Sequence, residues 1–96
     1  MNMLLIICSE ARQEDVRNLI HQHGVHAYTE MTNVLGEGHT GPKLGTHFHS
    51  QKSVLLFLVM EEAKEAELLA ALRAFQAGLY PGESLRAFLL PASEAL

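Results

Sequence analysis

The chain is poor in the residues that announce most small-protein chemistries. It has one cysteine, Cys8, in 96 residues. A single thiol forbids an internal disulfide and gives a metal no thiolate cluster, so a reducing compartment is expected, and the cytoplasm is the default. Basic residues are scarce. Seven Lys and Arg face eleven Asp and Glu, for a net charge of −4. Without a basic patch or tail, a nucleic-acid partner is not expected. Long apolar runs are missing too. The opening MNMLLIIC is short, carries no basic stretch and runs directly into SEARQEDVR. Neither a signal peptide nor a membrane span is expected. No low-complexity segment is present. Neither G-x-G-x-x-G opening a helix nor GxxxxGK[ST] occurs, since GEGHTG has the wrong spacing and context for either. No catalytic constellation emerges. Ser50 and Ser53 lie near His47 and His49 in sequence, but no carboxylate is placed to orient a histidine. Glu61, Glu62, Glu65 and Glu67 read as the solvated start of a helix. The chain is therefore not expected to be an enzyme.

Apolar residues make up 48% of the chain. That suffices for one small domain over 1–96, with a core modest enough that oligomerisation would help it. Residues 2–8, NMLLIIC, predict a buried strand. Val16, Leu19, Ile20 and His23 recur at helical spacing in 10–23, with Ser9 as N-cap and Gly24 just past the end. In 25–35, VHAYTEMTNVL, β-branched and aromatic residues alternate roughly as in a strand. SVLLFLVM, 53–60, is the strongest strand signal, and its continuous apolar character predicts cover on both faces, at least in an oligomer. Residues 61–77 are the strongest helix, with a stripe of Leu68, Leu69, Leu72 and Phe75, and Gly78 closing it. YPGES is a turn, LRAFLLP a last strand, and ASEAL a frayed tail. The order β-α-β-β-α-β is the α+β, ferredoxin-like pattern: a four-stranded antiparallel sheet with two helices on one face. Its other face is bare.

The two middle strands could turn in two to five residues. About seventeen, 36–52, are used instead, and a connection of that length is usually functional. The segment GEGHTGPKLGTHFHS holds four of the seven glycines and three of the six histidines. Three readings compete there. One is a plain extended hairpin. Another is an anion cradle built from glycine N–H groups with Lys43 or Lys52. The third is a transition-metal site. His47 and His49 at i, i+2 would share one face of an extended stretch, roughly 6.5–7 Å apart at Cα, with His39 as a third ligand and Glu37 completing the set. His21, His23 and His26 are expected to face solvent or cap. Cys8, Met31 and Met60 are expected to be core packing.

The long segment after the second strand, together with VLGEGHTGPKLGTHFHSQKSVLLFLVM and the following EEAKEAELLAALRAF, resembles the nitrogen regulatory P-II superfamily. The resemblance covers nearly the whole chain in topology. It implies a homotrimer whose sheets line a central core. It also implies adenine-nucleotide binding in clefts between subunits, with Gly36, Glu37 and Gly38, and Thr29 behind them, near the ligand. The 36–52 loop would then report to a partner protein, a transporter or an enzyme. The chain departs from the family pattern in two places: the usual tyrosine near the tip of the long loop is absent, and the phosphate-gripping loop is replaced. P-II proteins carry TGxxGDGKI before the last strand to grip phosphates, and here GLYPGES stands there, with Arg86 the one basic residue downstream. The trimeric CutA-type cation-tolerance proteins are the nearest related fold, and they accompany the metal reading of His39, His47 and His49.

Overall fold

The computed structural model describes residues 1–35 and 52–96. The elements follow the predicted order: β1 (Asn2–Ser9), a 3-10 turn (Glu10–Arg12), α1 (Gln13–Gln22), β2 (Thr29–Leu35), β3 (Lys52–Met60), α2 (Glu62–Ala77) and β4 (Leu85–Pro91). They form one sheet in the order β2-β3-β1-β4, with every neighbouring pair antiparallel.

The side-chain period of two divides each central strand between two environments. Leu4, Ile6 and Cys8 of β1 and Val54, Leu56, Leu58 and Met60 of β3 are buried, and they pack with Val16 and Ile20 of α1 and Leu68 and Leu72 of α2. Both helices therefore cover the same face. The intervening residues Met3, Leu5, Ile7, Leu55 and Phe57 are only half-buried, and Val59 is 50% exposed. The double cover expected for β3 is thus absent within one subunit.

Helix α1 ends as Gly24 predicts. Gly24 has φ +82°, its N–H donates to the carbonyl of His21, and the Val25 N–H donates to that of Ile20. This 6→1 and 5→2 pair is the Schellman arrangement, and the buried Val25 and Ile20 supply its apolar contact. The start of α1 differs from expectation. Ser9 makes no side-chain cap; its hydroxyl instead accepts the N–H of Ser84 at 2.7 Å. Residues 25–28 are not a strand: after the turn at His23 and Gly24 they lead to β2 without pairing in the sheet. Strand β2 also breaks its alternation. A bulge lies between Met31 and Val34, with Asn33 at φ 58°, a left-handed conformation that asparagine tolerates better than most residues. Met31, expected in the core, is 50% exposed, because its pairing with Leu55 puts it on the bare face.

Candidate functional site

Cross-strand register orders the bare face into rows. Thr29, Phe57, Leu5 and Phe88 form one row across the sheet; Met31, Leu55, Ile7 and Arg86 form the next; Val59, Met3 and Leu90 form a third. Phe88 and Leu90 are 45% and 43% exposed. Among the described strand residues no carboxylate stands on this face, and Arg86 is its only charge. The Arg86 guanidinium lies 5.7 Å from the centroid of the Phe88 ring. An apolar surface carrying one cation and no acid is suited to an anion delivered from outside, because a charge enclosed without a partner is strongly unfavourable.

Two polar knots hold the edges of this face, and neither stands out in the sequence. The first fixes β2. Glu30 points to the helix side, where Arg17 grips it with Nε and Nη2, the shortest contact being 2.9 Å. Gln13 Nε2 donates to the same carboxylate at 2.8 Å. The hydrogen bonds to Glu30 raise the Arg17 pKa above its ordinary value. Gln13 and Arg17 are four apart on one helix face, which is the signal that could have exposed the pairing. With Glu30 held to the helix side, strand alternation sends Thr29 to the bare face, where it is exposed and opposite Phe57.

The second knot fixes the turn before β4. Tyr80, Pro81, Gly82 and Glu83 make a turn closed by the Glu83 N–H donating to the Tyr80 carbonyl at 3.0 Å. Gly82 has φ +90°, as a type II turn requires after Pro. The Tyr80 N–H donates to Glu83 Oε1 at 2.9 Å. Arg12 Nε donates to the same oxygen at 3.0 Å, and another Arg12 nitrogen reaches Asp15. The guanidinium also lies over the rings of Phe75 and Tyr80 at 5.8 and 5.4 Å. The backbone N–H of Tyr80, then Arg12, lower the Glu83 pKa, and the bonds to Glu83 and Asp15 raise that of Arg12. This turn sets where β4, and with it Arg86, begins.

The remaining expectations fall as follows. Cys8 is fully buried, and desolvation, helped by the charge of Glu30, pushes its thiol to about 11. That makes it core packing and a poor nucleophile. His21 and His26 stack at 5.2 Å, with Tyr28 5.6 Å from His21, while His23 Nδ1 lies 3.2 Å from Glu67. Among the described residues no three His, Cys, Asp or Glu gather into a metal-binding group. Of the predicted ligand residues only Thr29 lies within the described residues; Gly36, Glu37, Gly38, His39, His47 and His49 lie outside them. No described helix is long and apolar enough to cross a membrane.

Comparison with known proteins agrees with this topology. The family model for nitrogen regulatory protein P-II matches residues 1–95. Among solved structures, CPII from Thiomonas intermedia K12, a nitrogen regulatory PII-like protein bound to ADP, AMP and bicarbonate, superposes with a TM-score of 0.68 at 18% identity. The match covers 99% of this chain and 94% of that one. A second CPII structure, bound to ADP and bicarbonate, matches at 0.68 and 21% identity, over 93% and 84% of the two chains. A PII-like signaling protein from Thermus thermophilus matches at 0.60 and 12% identity, over 92% and 82%. No curated protein matches the sequence.

Proposed function

Because this chain belongs to the nitrogen regulatory protein P-II family, we propose that it is a P-II-like signalling protein that senses a small anionic ligand, an adenine nucleotide with or without bicarbonate, in clefts between identical subunits. It acts by binding rather than by catalysis, in the cytoplasm, as a homotrimer. The observation that carries this reading is the bare apolar face, where Arg86 is the one charge among the described strand residues. Burying such a face yields about 25 cal/mol per Å², and a stable interface takes about 800 Å² from each partner. A ring of copies that covers the face sets the β4 edge of one subunit beside the β2 edge of the next. Arg86 and Thr29 stand at those two edges, in adjacent rows. One cleft then receives a cation from one copy and a hydroxyl from another, and a phosphate or bicarbonate supplies the negative charge that the face lacks.

ADP, AMP and bicarbonate are what the CPII structures hold, and they are the candidate ligands here. The YPGES turn cannot replace a glycine-rich phosphate loop, since Glu83 brings negative charge to it. Arg86 and the start of the 36–52 segment, Gly36, Glu37 and Gly38, carry the binding instead. A partner protein reads the bound state through that segment.

The test is a thermal unfolding panel with ADP, AMP and bicarbonate, singly and together. A ligand at a hundredfold excess over its Kd stabilises by about 2.7 kcal/mol, a readily measured rise in midpoint. The rise is expected to vanish in Arg86→Ala. A panel without any shift, or a shift that survives Arg86→Ala, would sink the reading.

A further inference from the structure

The connection from α1 to β2 is held by aromatic rings rather than by the sheet. Past the Val25 N–H, which donates to the Ile20 carbonyl, residues 26–28 pair with no strand. Instead the His26 ring stacks on that of His21, in the last turn of α1, with centroids 5.2 Å apart and planes inclined by 28°. The Tyr28 ring leans on His21 at 5.6 Å. Tyr28 is followed at once by Thr29, the first residue of β2. The three rings therefore set where β2 enters the sheet.

The charges around the stack leave it no acid. On α1, Arg17 stands one turn before His21 on the same helix face and is bonded to Glu30 of β2, which Gln13 also holds. On α2, Glu67 is bonded to His23, and Lys64 lays its ammonium against Gly24. Among the described residues no carboxylate pairs with His21 or His26. The C-terminal carbonyls of α1 favour one proton on the pair. A second proton sets two like charges face to face, where the neighbouring carboxylates are already taken and Arg17 and Lys64 add further positive charge. The doubly protonated pair has no reason to stay stacked.

We propose that the His21–His26 stack is a pH-sensitive clamp on the entry of β2: it holds the strand in place at neutral pH and lets go when both rings are protonated. Histidine is the side chain whose charge changes in that range. Release loosens Ala27 and Tyr28, and with them Thr29. The output of the clamp rests on the anion-sensing reading. With Thr29 displaced, the cleft between copies loses its hydroxyl, so acid weakens ligand binding. By linkage, bound ligand favours the stacked form to the same extent.

The experiment follows the full chain in its native oligomer by NMR from about pH 7.5 to about pH 5. The ring resonances of His21, His23 and His26 report protonation, and ¹⁵N relaxation at Ala27, Tyr28 and Thr29 reports mobility. As the second ring of the pair protonates, the order parameters at these three amides are expected to fall from a rigid value of about 0.85 to below about 0.6. In His26→Phe, whose ring stacks without titrating, they should stay rigid throughout. His23→Gln removes the neighbouring titratable ring and should keep the parent's response. Rings that do not titrate, or amides that stay rigid while they do, would overturn the proposal. So would a response retained in His26→Phe or lost in His23→Gln. The output is read as the ADP affinity of the parent divided by that of His26→Phe, a ratio in which protonation of ADP itself cancels. It should fall at least fivefold over the same range, and a constant ratio would overturn the link to Thr29. Absence of ADP binding in both proteins would sink the anion-sensing reading alone, since the amides decide the clamp without ligand.

Discussion

At the scale of single residues, the site is governed by where charge is permitted. Glu30 and Glu83 are each anchored by an arginine, and both carboxylates are thereby kept off the bare face. Glu83 has the further consequence of a pH dependence. Its pKa lies below the ordinary carboxylate value of 4.5, first because the Tyr80 N–H donates to it and then because Arg12 does. A carboxyl depressed by folding contributes stability that is fully present above its unfolded pKa and fades as pH falls through the lower folded value. Glu83→Gln should therefore lower the unfolding midpoint at pH 7, and the gap to the parent should close as pH is taken below about 4. Melting curves across that range test the assignment. A gap independent of pH would mean that Glu83 contributes packing alone.

Among the elements, those with strong periodicity are legible in the sequence and those set by tertiary contacts are not. β1, β3, α2 and β4 can be read almost to the residue, because continuous apolar runs and an alanine-rich helix leave one solution. β2 reads too long, since 25–28 form an irregular connection after the turn at 23–24 and no local signal marks that. The bulge is also hidden: TEMTNVL alternates well enough on paper, and only pairing with β3 shows an extra residue at Asn33. Asn33→Val puts a β-branched side chain at φ 58° and should cost roughly 1–2 kcal/mol in urea unfolding. Asn33→Gly should be near neutral. Equal losses in the two variants would mean that the asparagine amide, rather than backbone conformation, is what the bulge needs. The site residues divide in the same way. Thr29 enters only through the family resemblance, whereas Arg12, Arg17 and Glu30 acquire meaning only when helix and strand meet.

For the whole molecule, the sequence pattern already implies one uncovered face, and the register shows that it is continuous across all four strands. Leu5 and Phe57 sit side by side at its centre, flanked by Thr29 and Phe88. On the function proposed above, this surface and the anion site stand or fall together, because the proposed cleft requires two copies to meet. Phe57→Glu introduces a carboxylate into the middle of the interface without touching the buried face. It should convert the proposed trimer to monomer in sedimentation, with the circular dichroism of the fold retained, since Phe57 is only half-buried in one subunit. The same variant should lose the thermal response to ADP and bicarbonate although Arg86 is intact, because the second copy's Thr29 has gone. A monomer that still responds would place the ligand within one subunit. A parent protein that is already monomeric would remove the cleft altogether and leave Arg86 as an ordinary exposed cation.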